Sequence, residues 1–192
     1  LCEEHIHAAI FCSPHNPSGR VWTRRELEQA MDLFKKHDVM VVSDEIWADI
    51  ILDDHRHIPV QMVSEDARMR TVALYAPSKT FNLAGLVGSY HIIYNPQIRD
   101  RMKKESSLSH YNSMNVLSMH ALIGAYSKEG EEWLDELCKV LSENADYALK
   151  YIKTNFDGIK VTRPEGTYLL FLDCSDWCNK HNTSLTRLLH AG

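Results

Sequence analysis

Three short apolar runs, each cut off by turn residues or by charge, set the tightest limit on how this chain folds. AAIFC (Ala8–Cys12) ends in Ser-Pro-His-Asn-Pro-Ser-Gly, VMVVS (residues 39–43) ends in Asp44 and Glu45, and TVALY (Thr71–Tyr75) ends in Ala76-Pro77. A run rich in β-branched residues and apolar on both faces, as at 39–43, reads as a parallel strand covered by helices on two sides. Proline cannot donate to a sheet ladder and restricts the residue before it, so the third run stops at Ala76. Between the first two runs Leu27, Ala30, Met31 and Phe34 recur at helical spacing over residues 23–37. Thr23, with Glu26 three residues on, has the form of a capping box. Strands alternating with helices predict an α/β fold with a mostly parallel sheet in a three-layer domain.

The connection over residues 47–70 carries few signals, with a short helix expected near 63–69. SYHIIY (residues 89–94) reads as a further strand, and Pro96 fits the first residue of a helix to 104. Helices are predicted over 115–126 and 131–155, the latter with Trp133, Leu134, Leu137, Leu141, Ala145, Ala148, Leu149 and Ile152 as its apolar stripe. Strands at 159–162 and 167–172, separated by Pro164-Glu165-Gly166, precede a last helix from about 183. The change of pattern after Lys128 places part of a large domain in residues 1–128. Residues 129–192 are then a linking helix and the start of a smaller α+β domain. The chain begins with Leu1 instead of methionine and stops at Gly192 just after Leu185, Leu188 and Leu189, which reads as part of a longer protein.

Of the 192 residues, 44% are hydrophobic and 24% charged, the balance of a globular chain rather than a disordered one. The formal charge of −5 and the scattering of 21 Lys and Arg residues leave no basic footprint for nucleic acid. No apolar run approaches bilayer length, and LCEEHIHAAI lacks the parts of a signal peptide, so no membrane partner and a cytoplasmic location are expected. Five cysteines without scaffold spacing fit reduced thiols. Cys174, Cys178 and His181 can be drawn as a metal cluster, but no second ligand pair accompanies them, and thiols on a helical stretch are the simpler reading.

Function enters through Asn16, Asp44 and Lys79, each of which follows a separate apolar strand. Alone, each has an ordinary explanation as turn former, cap or surface cation. In an open parallel sheet, however, the carboxyl ends of the strands face one crevice, where ligands bind. If the strands are neighbours, an amide, a carboxylate and an amine converge there. Pyridoxal phosphate suits that set, because its aldehyde takes a lysine as a Schiff base and its ring nitrogen takes an acidic partner.

At HNPSGRVW, VVSDEIW and APSKTFNLAGL the chain resembles the fold-type-I pyridoxal phosphate enzymes of the class I and II aminotransferase superfamily. The resemblance implies that Lys79 is the Schiff-base lysine and later proton carrier. It makes Asp44 the partner of the pyridine nitrogen and Asn16 a donor to the ring's phenolic oxygen, in a protein that is a homodimer when full length and acts on a small-molecule amino-acid substrate. Three positions depart from the common aminotransferase pattern: Val87 replaces a phosphate-binding arginine, Ala76 a small Gly or Ser, and Trp47 a tyrosine. Ser78 is left as a candidate for the phosphate. These departures, with PHNPSGRVW and PSKTFNLAGL, resemble the cystathionine β-lyase-like C–S lyase branch. That branch implies elimination of sulfur amino acids to pyruvate, ammonia and a thiol. Transamination to a 2-keto acid and a cofactor-binding regulatory role with little turnover are the alternatives. The family's substrate-carboxylate arginine is expected beyond Gly192, and its ring-stacking and glycine-rich phosphate segments before Leu1.

Overall fold

A computed structural model describes residues 5–107 and 113–189, so Leu1, Cys2 and Gly192 lie outside the described residues. Strands β1 (Ala8–Cys12), β2 (Met40–Asp44) and β3 (Thr71–Tyr75) lie side by side and parallel, and β4 (Tyr90–Ile92) pairs with β3 antiparallel. Cys12 is registered with Asp44, and Asp44 with Leu74, so the three parallel strands end together at one edge of the sheet.

The crossover from β1 to β2 is helix α1 (Arg24–Lys36), which starts where its residues dictate. The Thr23 hydroxyl accepts the Glu26 N–H, and the Glu26 side chain returns to the Thr23 N–H, so both partners of the capping box are engaged. Its apolar face buries Leu27 and Met31 against Val41 of β2, Val60 of a 3-10 turn (Val60–Met62) and Ala67 of helix α2 (Glu65–Arg70). Burying a leucine as completely as Leu27, 1% exposed, stabilises the fold by about 2 kcal/mol. Period-two alternation puts Phe11 and Val41 on this covered face, whereas Ile10 of β1, on the other face, is 83% exposed.

Helices α3 (Pro96–Ser106), α4 (Val116–Ala125) and α5 (Lys128–Asn155) follow. α5 begins at 128 instead of the predicted 131 because Ser127 caps it, its hydroxyl accepting the Gly130 N–H. After it come the antiparallel pair β5 (Lys160–Val161) and β6 (Leu172–Asp173), then α6 (Ser175–Lys180) and α7 (Leu185–Leu189). The strand expected over 167–172 is not formed as such. Only its last residue joins a strand, because Thr167 takes a φ of 67° and its N–H bonds to the Ile50 carbonyl at 2.9 Å. Gly166 meanwhile bridges to Ile51, so this stretch pairs with residues 50–52 and not with β5.

The same stretch ties the β1 loop to the later part of the chain. The Gly19 carbonyl accepts the N–H groups of Glu165 and Gly166 at 2.9 and 3.0 Å, and Arg20 pairs with Glu165 and Glu26. A second core sits beside this strap, where Trp47, Ile50 and Leu52 meet Leu134 and Leu141 of α5 and Leu169. Among the described residues, no helix is long and apolar enough to cross a membrane, and no group of three or more His, Cys, Asp or Glu side chains is placed to hold a metal ion.

Gly19 has a φ of 70°, and a Cβ there would lie 2.6 Å from the Pro164 Cβ. Gly19→Ala should therefore lower unfolding stability by about 1–3 kcal/mol, read as a fall in the denaturant midpoint with an unchanged m-value.

Candidate active site

The sheet brings the carriers of the sequence-predicted residues to one edge. Asn16 lies exposed in the loop leaving β1, Asp44 is the half-buried last residue of β2, and half-buried Lys79 stands just past β3. Since β1, β2 and β3 are adjacent and parallel, all three positions follow the carboxyl ends of neighbouring strands. Around Cys12 the coupling is direct. Burial pushes its thiol above the ordinary pKa, the Asn16 N–H opposes that rise, and the Asp44 charge adds to it.

Asp44 and Glu45 are consecutive acids with opposite fates, because successive residues leaving a strand turn to opposite sides. The Asp44 carboxylate accepts only the Ile46 N–H, at 3.3 Å, within the described residues. Glu45, 1% exposed, is turned into the α1–α2 side and filled with donors. Its Oε1 accepts the Ser43 hydroxyl at 2.8 Å and the Val60 N–H at 3.1 Å. Its Oε2 accepts the Tyr75 hydroxyl at 2.7 Å and lies 2.8 Å from His57 Nε2. Burial, followed by the Glu45 charge, raises the Tyr75 pKa, so that hydroxyl remains a donor. Tyr75 in turn stacks on Tyr90, centroids 5.4 Å apart.

Lys79 extends over the ring of Trp47, its Nζ 5.8 Å from the centroid, within cation–π reach. Trp47 is itself buried and held edge-on by Tyr168 at 4.6 Å. Half-buried Ser78 lines a cleft of about 410 Å³ together with Ala76, Val87, Ser89, His91 and Ser113. Val87 stands there in the left-handed region, φ 48°, and is 83% exposed.

Glu45, His57 and Tyr75 were not singled out from the sequence, nor were Asp49 and Thr80, which bond to each other nearby. The available signal was the adjacency of Glu45 to a strand end, where one of two neighbouring acids must point inward.

An open, mostly parallel α/β sheet with an amide, a carboxylate and an amine following neighbouring strand ends belongs to the class of α/β folds in which ligands bind at the strand carboxyl ends. Comparison with known proteins narrows that class. The aminotransferase class I and II family model matches residues 2–189. Cystathionine beta-lyase PatB of Bacillus subtilis is 40% identical over 177 residues, covering 91% of this chain and 45% of the relative. Protein MalY of Escherichia coli is 39% identical over 177 residues, covering 90% and 44%. Among solved structures, the PLP-bound C-S lyase of Staphylococcus hominis superposes with a TM-score of 0.85 at 33% identity, covering 92% of this chain and 45% of that one. Cystalysin of Treponema denticola, whose crystal structure contains pyridoxal 5'-phosphate, gives 0.83 at 39% identity, covering 87% and 42%. The chain belongs to the aminotransferase class I and II family. It spans a little under half the length of the curated relatives it matches.

Glu45→Ala should destabilise the protein by about 3 kcal/mol, because it strands several buried donors at once. Chemical denaturation of the purified variant measures this directly.

Proposed function

We propose that this chain carries part of the active site of a pyridoxal phosphate-dependent C–S β-lyase, which splits sulfur amino acids into pyruvate, ammonia and a thiol. The observation that carries the reading is the placement of Asn16, Asp44 and Lys79 after three adjacent strand ends, in a chain similar to cystathionine β-lyases. The donor set fits the cofactor: one amine for its aldehyde, one carboxylate for its ring nitrogen and one amide for its phenolic oxygen. Hydroxyls and an imidazole line the cleft at Ser78, donors of the kind an anionic group needs, although Val87 supplies none. When bound, pyridoxal phosphate supplies a protonated ring that takes up electrons released at the substrate's α-carbon.

The chain's own groups divide the remaining work. Lys79 Nζ would hold the cofactor and, once freed by the substrate, would be the base that takes the α-proton. The Trp47 ring, its centroid 5.8 Å from that amine, gives it a cation–π resting place beside the strand ends. Asp44, its carboxylate oriented by the Ile46 N–H, would keep the ring nitrogen protonated. Asn16 would donate to the phenolic oxygen, and Ser78 would offer its hydroxyl to the phosphate. The full-length protein is a cytoplasmic homodimer in this reading, with the substrate-carboxylate arginine elsewhere in its sequence.

A second reading keeps the same residues and ends in transamination, favoured by similarity to aspartate aminotransferase of Bacillus sp. YM-2, 26% identical over 175 residues. Incubation of the full-length protein with cystathionine separates the two. Pyruvate and thiol released without a keto-acid acceptor are expected, and an absolute acceptor requirement would establish transamination instead. Cofactor loading without turnover over a broad amino-acid panel would point to the regulatory role.

Lys79→Ala should lose both the visible band of lysine-bound cofactor and turnover. Asp44→Ala should weaken cofactor binding and slow turnover by about a hundredfold or more. Absorbance spectra before and after borohydride, with peptide mapping of the reduced adduct, check both variants.

A further inference from the structure

The turn that leaves β2, residues 45–49, is gripped at both ends. Glu45 anchors it to β3 through Tyr75, and Asp49 anchors it to the loop that carries Lys79. Asp49 Oδ2 accepts the Thr80 hydroxyl at 2.9 Å and the Tyr126 hydroxyl at 3.2 Å. Thr80, 1% exposed, directly follows Lys79, so its bond fixes the peptide from which the lysine side chain springs.

The surrounding contacts give this loop one direction from which it can be adjusted. Its own backbone is closed by Phe81 N–H to the Pro77 carbonyl at 2.9 Å and Leu83 N–H to the Ser78 carbonyl at 3.0 Å. Phe81 packs edge-on against Tyr126 and stacks on Trp133, both with centroids 5.6 Å away. These aromatic contacts hold the loop from the α4–α5 side. On the side facing the β2 turn, the Asp49–Thr80 bond sets the spacing between the segment bearing Asp44 and Trp47 and the segment bearing Lys79. Burial, followed by the Asp49 charge, raises the Tyr126 pKa, which keeps its hydroxyl protonated as the second donor.

We infer that Asp49 is a positioning residue for Lys79, acting through the Thr80 hydroxyl to hold the amine at a fixed place over Trp47 and beside Asp44's strand. The inference rests on the reading of Lys79 as the cofactor-bearing amine. Asp49 touches neither substrate nor cofactor in this account. Its effect is on where the nitrogen waits, and misplacement of a reacting group by about 1 Å can cost about a hundredfold in rate.

The test uses the full-length protein stripped of cofactor and then given pyridoxal phosphate. The rate of covalent attachment at Lys79 is followed by borohydride trapping and peptide mapping. Thermal unfolding of each apoprotein serves as the control for folding. Thr80→Val, which keeps the shape and removes the donor, should slow attachment about tenfold or more. Thr80→Ser should restore the rate to within about twofold, and Asp49→Ala should slow attachment far less in the Thr80→Val background than alone, since the two variants share the Asp49–Thr80 bond. Attachment at the unsubstituted rate in Thr80→Val, or equal slowing by Asp49→Ala in both backgrounds, overturns the inference. If Thr80→Val does not fold, Asp49→Ala alone decides, and an unchanged rate rejects it. No adduct at Lys79 in the unsubstituted protein overturns the functional reading along with it, which keeps the two failures apart.

Discussion

The buried carboxylate of Glu45 is the constraint around which the site is arranged. A charge taken out of water is tolerated only where donors replace its hydration, and Glu45 has a hydroxyl from its own strand, a tyrosine from β3, a backbone N–H from the 3-10 turn and a histidine. Those donors come from separated stretches of sequence, so the chain cannot satisfy the acid without bringing β2, β3 and the segment between them into register. Satisfying Glu45 also decides the outward direction of its neighbour Asp44. The side chain proposed to meet a ligand is thus aimed by one that never does.

Much of this was legible in the sequence. β3 lies where its apolar run ends at proline, β1 runs from Ala8 to Cys12, and the capping box starts α1 where Thr23 and Glu26 indicate. What could not be read depended on partners distant in the chain. Nothing local tells which of Asp44 and Glu45 turns inward, because that is decided by His57, Val60 and Tyr75. Nor does the apolar, β-prone stretch 167–172 announce that Thr167 will adopt a left-handed backbone to reach the Ile50 carbonyl. There a long-range bond overrode local preference.

The departures from the common aminotransferase pattern also acquire a physical sense. Trp47 does more than fill a tyrosine's place: it lies beneath Lys79 and against Tyr168, so one ring links the turn after β2 to the chain beyond α5. Ala76 is buried where a small Gly or Ser is usual, and Val87 offers an apolar side chain where an arginine would carry charge. In the proposed reading the cofactor phosphate would therefore depend on hydroxyl donors such as Ser78.

The face of the sheet that carries Ile10 has a practical corollary for handling the molecule. Ile10 is 83% exposed there, and elsewhere α4 leaves Val116, Leu117 and Ile123 at 64%, 72% and 61%. Oily surface on strand and helix alike favours adhesion between copies. A preparation limited to these 192 residues should therefore self-associate as its concentration rises, and clouding would say little about whether its interior is well made.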